Sequence, residues 1–179
     1  MKTTTISLCL LAIVSAFCFT DCKKIKDICV PLGQTKNQDF SAVDFSVTTP
    51  AGAGTLTIER VKAGGISKAI TDNGGNPECV DVFMTKQTVS LPNAGQTFAG
   101  LKSFHSFAKD VQLNDWVAIG TYVHDGSPAT TFDVVMSGTN LHHCEDADGN
   151  ITYKYEIESV TAAPEVLNMV ANGTYQIKF

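Results

Sequence analysis

The chain has 179 residues, of which 44% are hydrophobic and 17% are charged, and its formal net charge is −5. This balance is typical of a globular protein and excludes a disordered chain, and an acidic chain without a basic stripe is a poor binder of nucleic acid. The length fits one domain with a sizeable core after removal of a short leader.

The first residues have the layout of a secretory signal peptide. Lys2 is followed by a predominantly apolar run over residues 6–19, with small residues near its end. We predict a signal peptide over residues 1–18, with cleavage near residues 16–21, and a secreted or extracellular destination. The apolar run is shorter than the roughly 20 residues that span a bilayer, so we expect no transmembrane span in the mature protein.

Cys22 indicates an alternative destination. It lies between the apolar segment and a lysine-rich stretch, as the lipid-anchor cysteine of a bacterial lipoprotein does. Asp21 argues against this interpretation, because the residue before a lipidated cysteine is normally small and uncharged. A cell-surface protein anchored by a lipid on Cys22 remains the alternative to simple secretion.

Cysteine usage fits an oxidising compartment. Four cysteines follow the predicted leader, at Cys22, Cys29, Cys79 and Cys144. An even number predicts two disulfides, and three pairings are possible. Cys79 and Cys144 both adjoin predicted strands, so we favour that pair and leave Cys22 with Cys29. If Cys22 carries a lipid, Cys29 has no partner.

Beyond the leader, we interpret residues 19–40 as an N-terminal tether or a first strand and residues 41–179 as the folded domain. Turns rich in Gly, Pro, Asn and Asp separate short apolar segments. Alternating or continuous apolar residues predict strands at 43–47, 56–58, 80–91, 116–123, 132–136, 151–160 and 175–179.

The clearest strand lies at residues 151–160. Ile151, Tyr153, Tyr155 and Ile157 alternate with polar residues. Successive side chains of a strand point to opposite faces, so we predict that these four side chains face the core.

Three other segments carry weaker signals. Residues 116–123 are apolar on both faces, which predicts a strand that is covered on both sides. Residues 102–108 and 164–170 each fit a short helix, and Pro164 suits the first turn of the second one.

Seven or eight short strands in one domain indicate an all-β protein. We predict a single antiparallel β-sandwich of the immunoglobulin-like or jelly-roll-like kind. A small β-barrel is the alternative.

The densest polar cluster lies at residues 141–150. Asp146, Asp148 and Asn150 have the spacing that opens a calcium-binding loop. The match then fails, because the glycine falls one position early and the distal glutamate is missing. Residues Asp148, Gly149 and Asn150 instead predict a turn before the next strand. Calcium is thus a weak expectation, and we expect no other cofactor.

Histidines add a second weak metal signal. His142 and His143 are adjacent, and neighbouring residues of a strand face opposite sides, so we do not expect both to reach one ion. His105 and His124 lie on other predicted elements and could converge in the fold. The candidate metal ligands are Asp146, Asp148, Asn150 and His142.

Two N-x-[ST] sequons begin at Asn150 and Asn172. Chance alone yields about this number, so the motif carries little weight. If the source is eukaryotic, both are candidate surface glycan sites.

The sequence nominates no catalytic residue, because it contains no nucleophile elbow, P-loop or zinc-binding histidine pair. We predict a secreted or surface-tethered binding module with an adhesion, recognition or structural role. The alternative is an extracellular carrier that encloses a small apolar ligand, and a secreted hydrolase is third. The expected partner is an extracellular protein, a glycan or a small apolar ligand.

Overall fold

The computed structural model describes residues 33–179, apart from the side chain of Ser41. These residues belong to one compact unit. The strands are β1 Thr35–Thr49, β2 Gly52–Ala63, β3 Asp81–Ser90, β4 Leu101–Asp110, β5 Asp115–Val123, β6 Thr131–Asp133, β7 Val135–Met136, β8 Asn150–Thr161 and β9 Glu165–Lys178. One helix, α1, spans Ile66–Asp72, and 3₁₀ turns span Pro77–Cys79 and His142–Cys144.

The strands form two antiparallel sheets. The first sheet has the order β1-β9-β3-β6, and the second has the order β2-β8-β4-β5-β7. This arrangement confirms the predicted β-sandwich. Because the strands form two separate sheets, it excludes the alternative of a small β-barrel. The described residues form nine strands, because the segment predicted as one strand at 132–136 divides between the sheets as β6 and β7, and because residues 102–108, predicted as a helix, belong to β4. Residues 35–40 belong to β1.

The alternation in β8 builds one side of the core. Ile151, Tyr153, Tyr155 and Ile157 are all fully buried, which confirms the predicted inward face. The intervening side chains point to the outer face of the second sheet, because successive residues of a strand alternate.

Aromatic rings fill the space between the two sheets. Tyr155 of β8 stacks on Phe45 of β1, with ring centroids 4.7 Å apart, and on Phe104 of β4 at 5.4 Å. Phe40 of β1 stacks on Tyr153 of β8 at 5.8 Å. Such pairs contribute about 0.5–1.5 kcal/mol each beyond the burial of their area, so these rings stabilise the contact between the sheets.

Phe40 requires a glycine on the neighbouring strand. Gly173 of β9 lies where both adjacent strands, β1 and β3, have a register shift. A Cβ atom at position 173 would approach the Phe40 ring to 2.0 Å. The absence of a side chain therefore lets the ring pack against the backbone of the central strand of the first sheet.

Both predicted helices are wrong. Residues 102–108 lie in β4 and residues 164–170 lie largely in β9. In β4, the alternate residues Phe104, Ser106 and Ala108 are fully buried, which is the two-residue period of a strand rather than the period of a helix.

The prediction that residues 116–123 are covered on both sides is also wrong. Ile119 is buried in the core, but Val123 is 74% exposed. The outward residues Ala118 and Val123 are both exposed, so the outer face of β5 is not covered along its whole length.

Helix α1 depends on a contact from a distant part of the chain. Gly65 precedes it and has no side chain to cap the first turn. The carboxylate of Glu145 accepts hydrogen bonds from the backbone N–H groups of Ile66 at 2.9 Å and Ser67 at 2.6 Å. These N–H groups have no partner within the helix, so the carboxylate satisfies their hydrogen-bonding capacity. Its negative charge also interacts favourably with the positive end of the helix dipole. Across residues 33–179, no helix reaches the length and apolarity needed to cross a membrane.

We predict opposite effects for two buried tyrosines. The Tyr153 hydroxyl hydrogen-bonds to the Tyr175 hydroxyl, whereas the Tyr155 hydroxyl has no partner among the described residues. Tyr155→Phe should leave the free energy of unfolding unchanged or raise it. Tyr153→Phe should lower it by about 1–3 kcal/mol, because the Tyr175 hydroxyl loses its buried partner.

Urea unfolding of both variants measures this difference. Tyr155→Ala is the positive control and should cost about 3–5 kcal/mol, because it removes the stacked ring. A loss above about 1 kcal/mol for Tyr155→Phe would show that its hydroxyl has a stabilising partner.

Candidate binding groove

An open groove of about 660 Å³ lies on the outer face of the second sheet. Residues of β4, β5 and β8 line it, together with the loop after β5, and we call it the β4–β5–β8 groove. Ser103 of β4 is the register partner of Val123 in β5 and of Glu158 in β8. These three residues therefore form a row across three strands, and His105 lies two positions further along β4 on the same face.

Two polar atoms of the groove have no hydrogen-bond partner among the described residues. Ser103 is 7% exposed, and its Oγ is buried and unpartnered. The Nδ1 atom of His124 lies 3.0 Å from the Tyr122 hydroxyl, but its Nε2 atom is buried and unpartnered. Burial of such an atom without a partner costs about 1–3 kcal/mol, so both atoms favour a bound water or ligand.

Neighbouring groups orient the histidines. The Thr121 hydroxyl lies 3.0 Å from Nδ1 of His105. Burial raises the pKa of Tyr122, so its hydroxyl stays protonated and can donate to Nδ1 of His124. In both rings Nδ1 thus has a partner, so any further hydrogen bond of either ring is made through Nε2.

Charged and apolar groups surround Ser103, His105 and His124, which we call the polar floor of the groove. Lys102, Asp125 and Glu158 line the groove, as does Val160, which is 43% exposed. The backbone N–H of Ser127 donates to the Asp125 carboxylate at 2.9 Å and lowers the pKa of Asp125. The carboxylate is therefore ionised at neutral pH, and its hydrogen bond to Ser127 stabilises the loop after β5.

The predicted turn at residues 146–150 is confirmed. One carboxylate oxygen of Asp146 accepts hydrogen bonds from the backbone N–H groups of Asp148 at 3.0 Å and Asn150 at 2.8 Å. Gly149 has a positive φ of 78°, which glycine adopts easily. Across residues 33–179, no group of three or more His, Cys, Asp or Glu residues could hold a metal ion. Calcium at this turn stays the weak alternative to a purely structural turn.

The four histidines divide into two places. His142 and His143 lie in a 3₁₀ turn, and their rings stack with centroids 4.2 Å apart. The expectation that they face opposite sides is therefore wrong, because it assumed a strand. His105 and His124 instead both line the β4–β5–β8 groove.

The predicted Cys79–Cys144 disulfide is wrong, because Cys144 is a buried free thiol. Cys144 lies in the core at the end of a 3₁₀ turn, and burial raises its pKa to about 12. Cys22 and Cys29 lie outside the described residues, so a disulfide that includes either of them stays a prediction.

The two sequons have different environments. Asn172 is exposed on β9, whereas Asn150 is half-buried at the start of β8. Glycosylation at either residue stays a prediction.

The groove also contains Ser103, which the sequence did not nominate, because a lone serine in a strand carries no local signal.

We predict that Asp146 has a structural role. Asp146→Ala should lower the free energy of unfolding by about 1–2 kcal/mol, because two backbone N–H groups lose their acceptor. Asp148→Ala is the matched control, and its effect should stay within about 0.5 kcal/mol because the residue is exposed. Thermal unfolding with and without millimolar calcium tests the alternative. A rise in Tm with calcium that Asp148→Ala abolishes would establish a calcium site.

We also predict a pH effect of Cys144. Burial raises its pKa from an ordinary 9.0 to about 12, so the thiol stabilises the fold below pH 9, and this contribution falls as the pH rises from about 9 to about 12. The free energy of unfolding should therefore fall more steeply over this range in the unmodified protein than in Cys144→Ala. Urea titrations at several alkaline pH values measure both slopes, and the buried tyrosines affect both proteins alike. Equal slopes would refute the prediction.

No protein-family model matches the chain, and no curated protein is similar to it in sequence. Solved structures with a similar fold include a mitogen from Yersinia pseudotuberculosis, which has 11% identity over 75% of this chain and 86% of that chain, with a TM-score of 0.33. The decameric BFDV capsid protein has 8% identity over 81% of this chain and 100% of that chain, with a TM-score of 0.35. A study of carbohydrate-binding modules from the β-sandwich superfamily supplies a third, at 9% identity over 77% of this chain and 55% of that chain, with a TM-score of 0.33. At these sequence identities and TM-scores, the similarity concerns the β-sandwich fold alone.

Proposed function

We propose that this protein is an exported recognition module that binds a polar ligand in the β4–β5–β8 groove. The observation that carries the proposal is a pair of buried, unpartnered atoms, Ser103 Oγ and His124 Nε2, on two residues that line an open groove. A ligand that supplies a partner to each atom relieves the cost of their burial, which favours the bound state.

The groove favours a recognition module over an apolar carrier. A carrier of a small apolar ligand requires an enclosed apolar cavity. The β4–β5–β8 groove is open, and its lining includes hydroxyl, imidazole, carboxylate and ammonium groups. These groups are better matched to a polar ligand that is recognised from one side.

A glycosidase-like hydrolase is less well supported. Such an enzyme needs one carboxyl group that burial keeps protonated and a second that stays ionised. Asp125 is exposed and its pKa is lowered, so it cannot serve as the acid at neutral pH. The remaining carboxylate of the lining, Glu158, is exposed on β8. This combination favours binding over hydrolysis.

Export is supported by the sequence alone. The basic residue and apolar run at the start of the chain predict a signal peptide, and secretion is the preferred destination, with lipid attachment through Cys22 as the alternative. Recognition outside the cell is therefore the role that we propose for the groove.

Two serines provide a matched test of the site. Ser103 Oγ and Ser159 Oγ are both buried and unpartnered among the described residues, but only Ser103 lines the groove. Both Ser103→Ala and Ser159→Ala should leave the free energy of unfolding unchanged or raise it. Ser103→Ala should in addition weaken ligand binding by about tenfold, because the ligand loses a hydrogen bond to a buried group.

The measurement is an NMR titration of the exported protein with neutral oligosaccharides, uronic-acid oligosaccharides and short peptides. At least one class should shift the amide resonances of residues 101–105 and 123–126. If every probe that binds shifts resonances elsewhere, or if Ser103→Ala and Ser159→Ala bind alike, the proposed function is wrong.

A further inference from the structure

We infer that the ligand of the β4–β5–β8 groove is a neutral oligosaccharide whose chain lies across the strands. This inference rests on the function proposed above and names the ligand class for the same site. It follows from the charge of the groove, its hydrogen-bonding groups, its apolar walls and the length of the row that crosses the sheet.

The charges of the groove favour a ligand without a net charge. Lys102 is the lysine of the lining, and Asp125 and Glu158 are its carboxylates. A ligand with several acidic groups would meet the carboxylates, and a strongly basic ligand would meet Lys102. Like charges held close together are unfavourable, so this mixed surface discriminates against both.

The polar atoms of the groove suit hydroxyl groups. Ser103 Oγ both donates and accepts, His124 Nε2 donates when Nδ1 accepts from the Tyr122 hydroxyl, and the Glu158 carboxylate accepts. A sugar hydroxyl can donate and accept at once, and adjacent hydroxyls can serve adjacent protein groups. A chain of neutral sugars therefore satisfies all three kinds of group without a charge.

The walls of the groove suit the C–H faces of a sugar ring. Val123 is 74% exposed and Val160 is 43% exposed, and both line the groove. Val123 is the register partner of Ser103, and the backbone N–H of Val160 donates to the Gly100 carbonyl at 2.8 Å. Aliphatic side chains beside a polar floor match a ring that is polar at its edge and apolar on its faces.

The row across the sheet sets the length of the ligand. Val123, Ser103 and Glu158 are successive register partners, and Glu158 pairs with Thr55 of β2. Four adjacent strands are separated by three intervals of about 4.8 Å, so the row spans roughly 14 Å, the length of about three hexose units. Thr55 is exposed and adds a hydroxyl at the far end of the row.

The aromatic side chains of the same face are already engaged. The ammonium group of Lys154 lies 4.4 Å from the centroid of the Phe107 ring and 5.1 Å from that of Trp116. Lys154 also forms an ion pair with Glu156 at 2.8 Å. The two rings are therefore occupied by a cation of this chain, and the ligand is placed on the row through Ser103 rather than on these rings.

Calorimetric and NMR titrations with named probes test the inference. The neutral probes are maltotriose, cellotriose, xylotriose, mannotriose and N,N′,N″-triacetylchitotriose with their monosaccharides, and the competing probes are trigalacturonate and a serine-rich tripeptide. One neutral trisaccharide should bind with a Kd below about 1 mM and about tenfold more tightly than its monosaccharide, because it fills the whole row.

Variants locate the site. Val123→Ser and Thr55→Val should each weaken binding of that trisaccharide by about fivefold, because each removes one end of the row. Trp116→Ala is the matched control on the same face and should bind like the unmodified protein. A loss of binding in Trp116→Ala, with Val123→Ser and Thr55→Val unaffected, would place the sugar on the aromatic side chains and overturn the inference.

The remaining outcomes separate the two proposals. If only trigalacturonate or the peptide shifts the groove resonances, the ligand class is wrong and the proposed function stands. If no neutral trisaccharide binds at millimolar concentrations, the ligand class is again wrong. If a neutral trisaccharide binds equally well to Ser103→Ala and to Ser159→Ala, the groove is not the binding site and both proposals fail.

Discussion

The stack of aromatic rings between the sheets is the contact on which the rest of the structure depends. Tyr155 lies against Phe45 of the opposite sheet and Phe104 of its own sheet. Each ring projects from an alternate position of its strand, so a shift of any of these strands by one residue would turn its ring toward solvent. The stack therefore selects the register of the strands, besides burying a large apolar area.

The register on the inner face decides what the outer face presents. Because Phe104 points into the core, Ser103 and His105 point outward from β4, and because Ile157 is buried, Glu158 points outward from β8. The β4–β5–β8 groove thus follows from the packing of residues that do not touch it. Substitutions in the core can alter the groove by shifting a strand, which is why a binding test needs controls of equal stability.

Contacts between distant segments stabilise parts of the fold that their local sequence alone does not stabilise. Glu145 caps α1 from 79 positions away, which stabilises a helix that has no local cap. Gly173 accommodates the ring of Phe40 from the neighbouring strand. Cys144 packs into the core as a free thiol. Glu145 and Gly173 act on residues that are distant in the chain, so only the assembled sandwich provides these contacts.

The sequence by itself determined the all-β class, the inward face of β8 and the turn at Asp146, because side-chain alternation and turn chemistry act over a few residues. The tertiary structure alone decided which strands are neighbours, and so it placed His105, His124 and Ser103 in the lining of one groove. It also decided that Cys144 is free. Strand pairing and cysteine pairing depend on contacts between residues far apart in the chain, and a local pattern carries no information about which of these contacts forms.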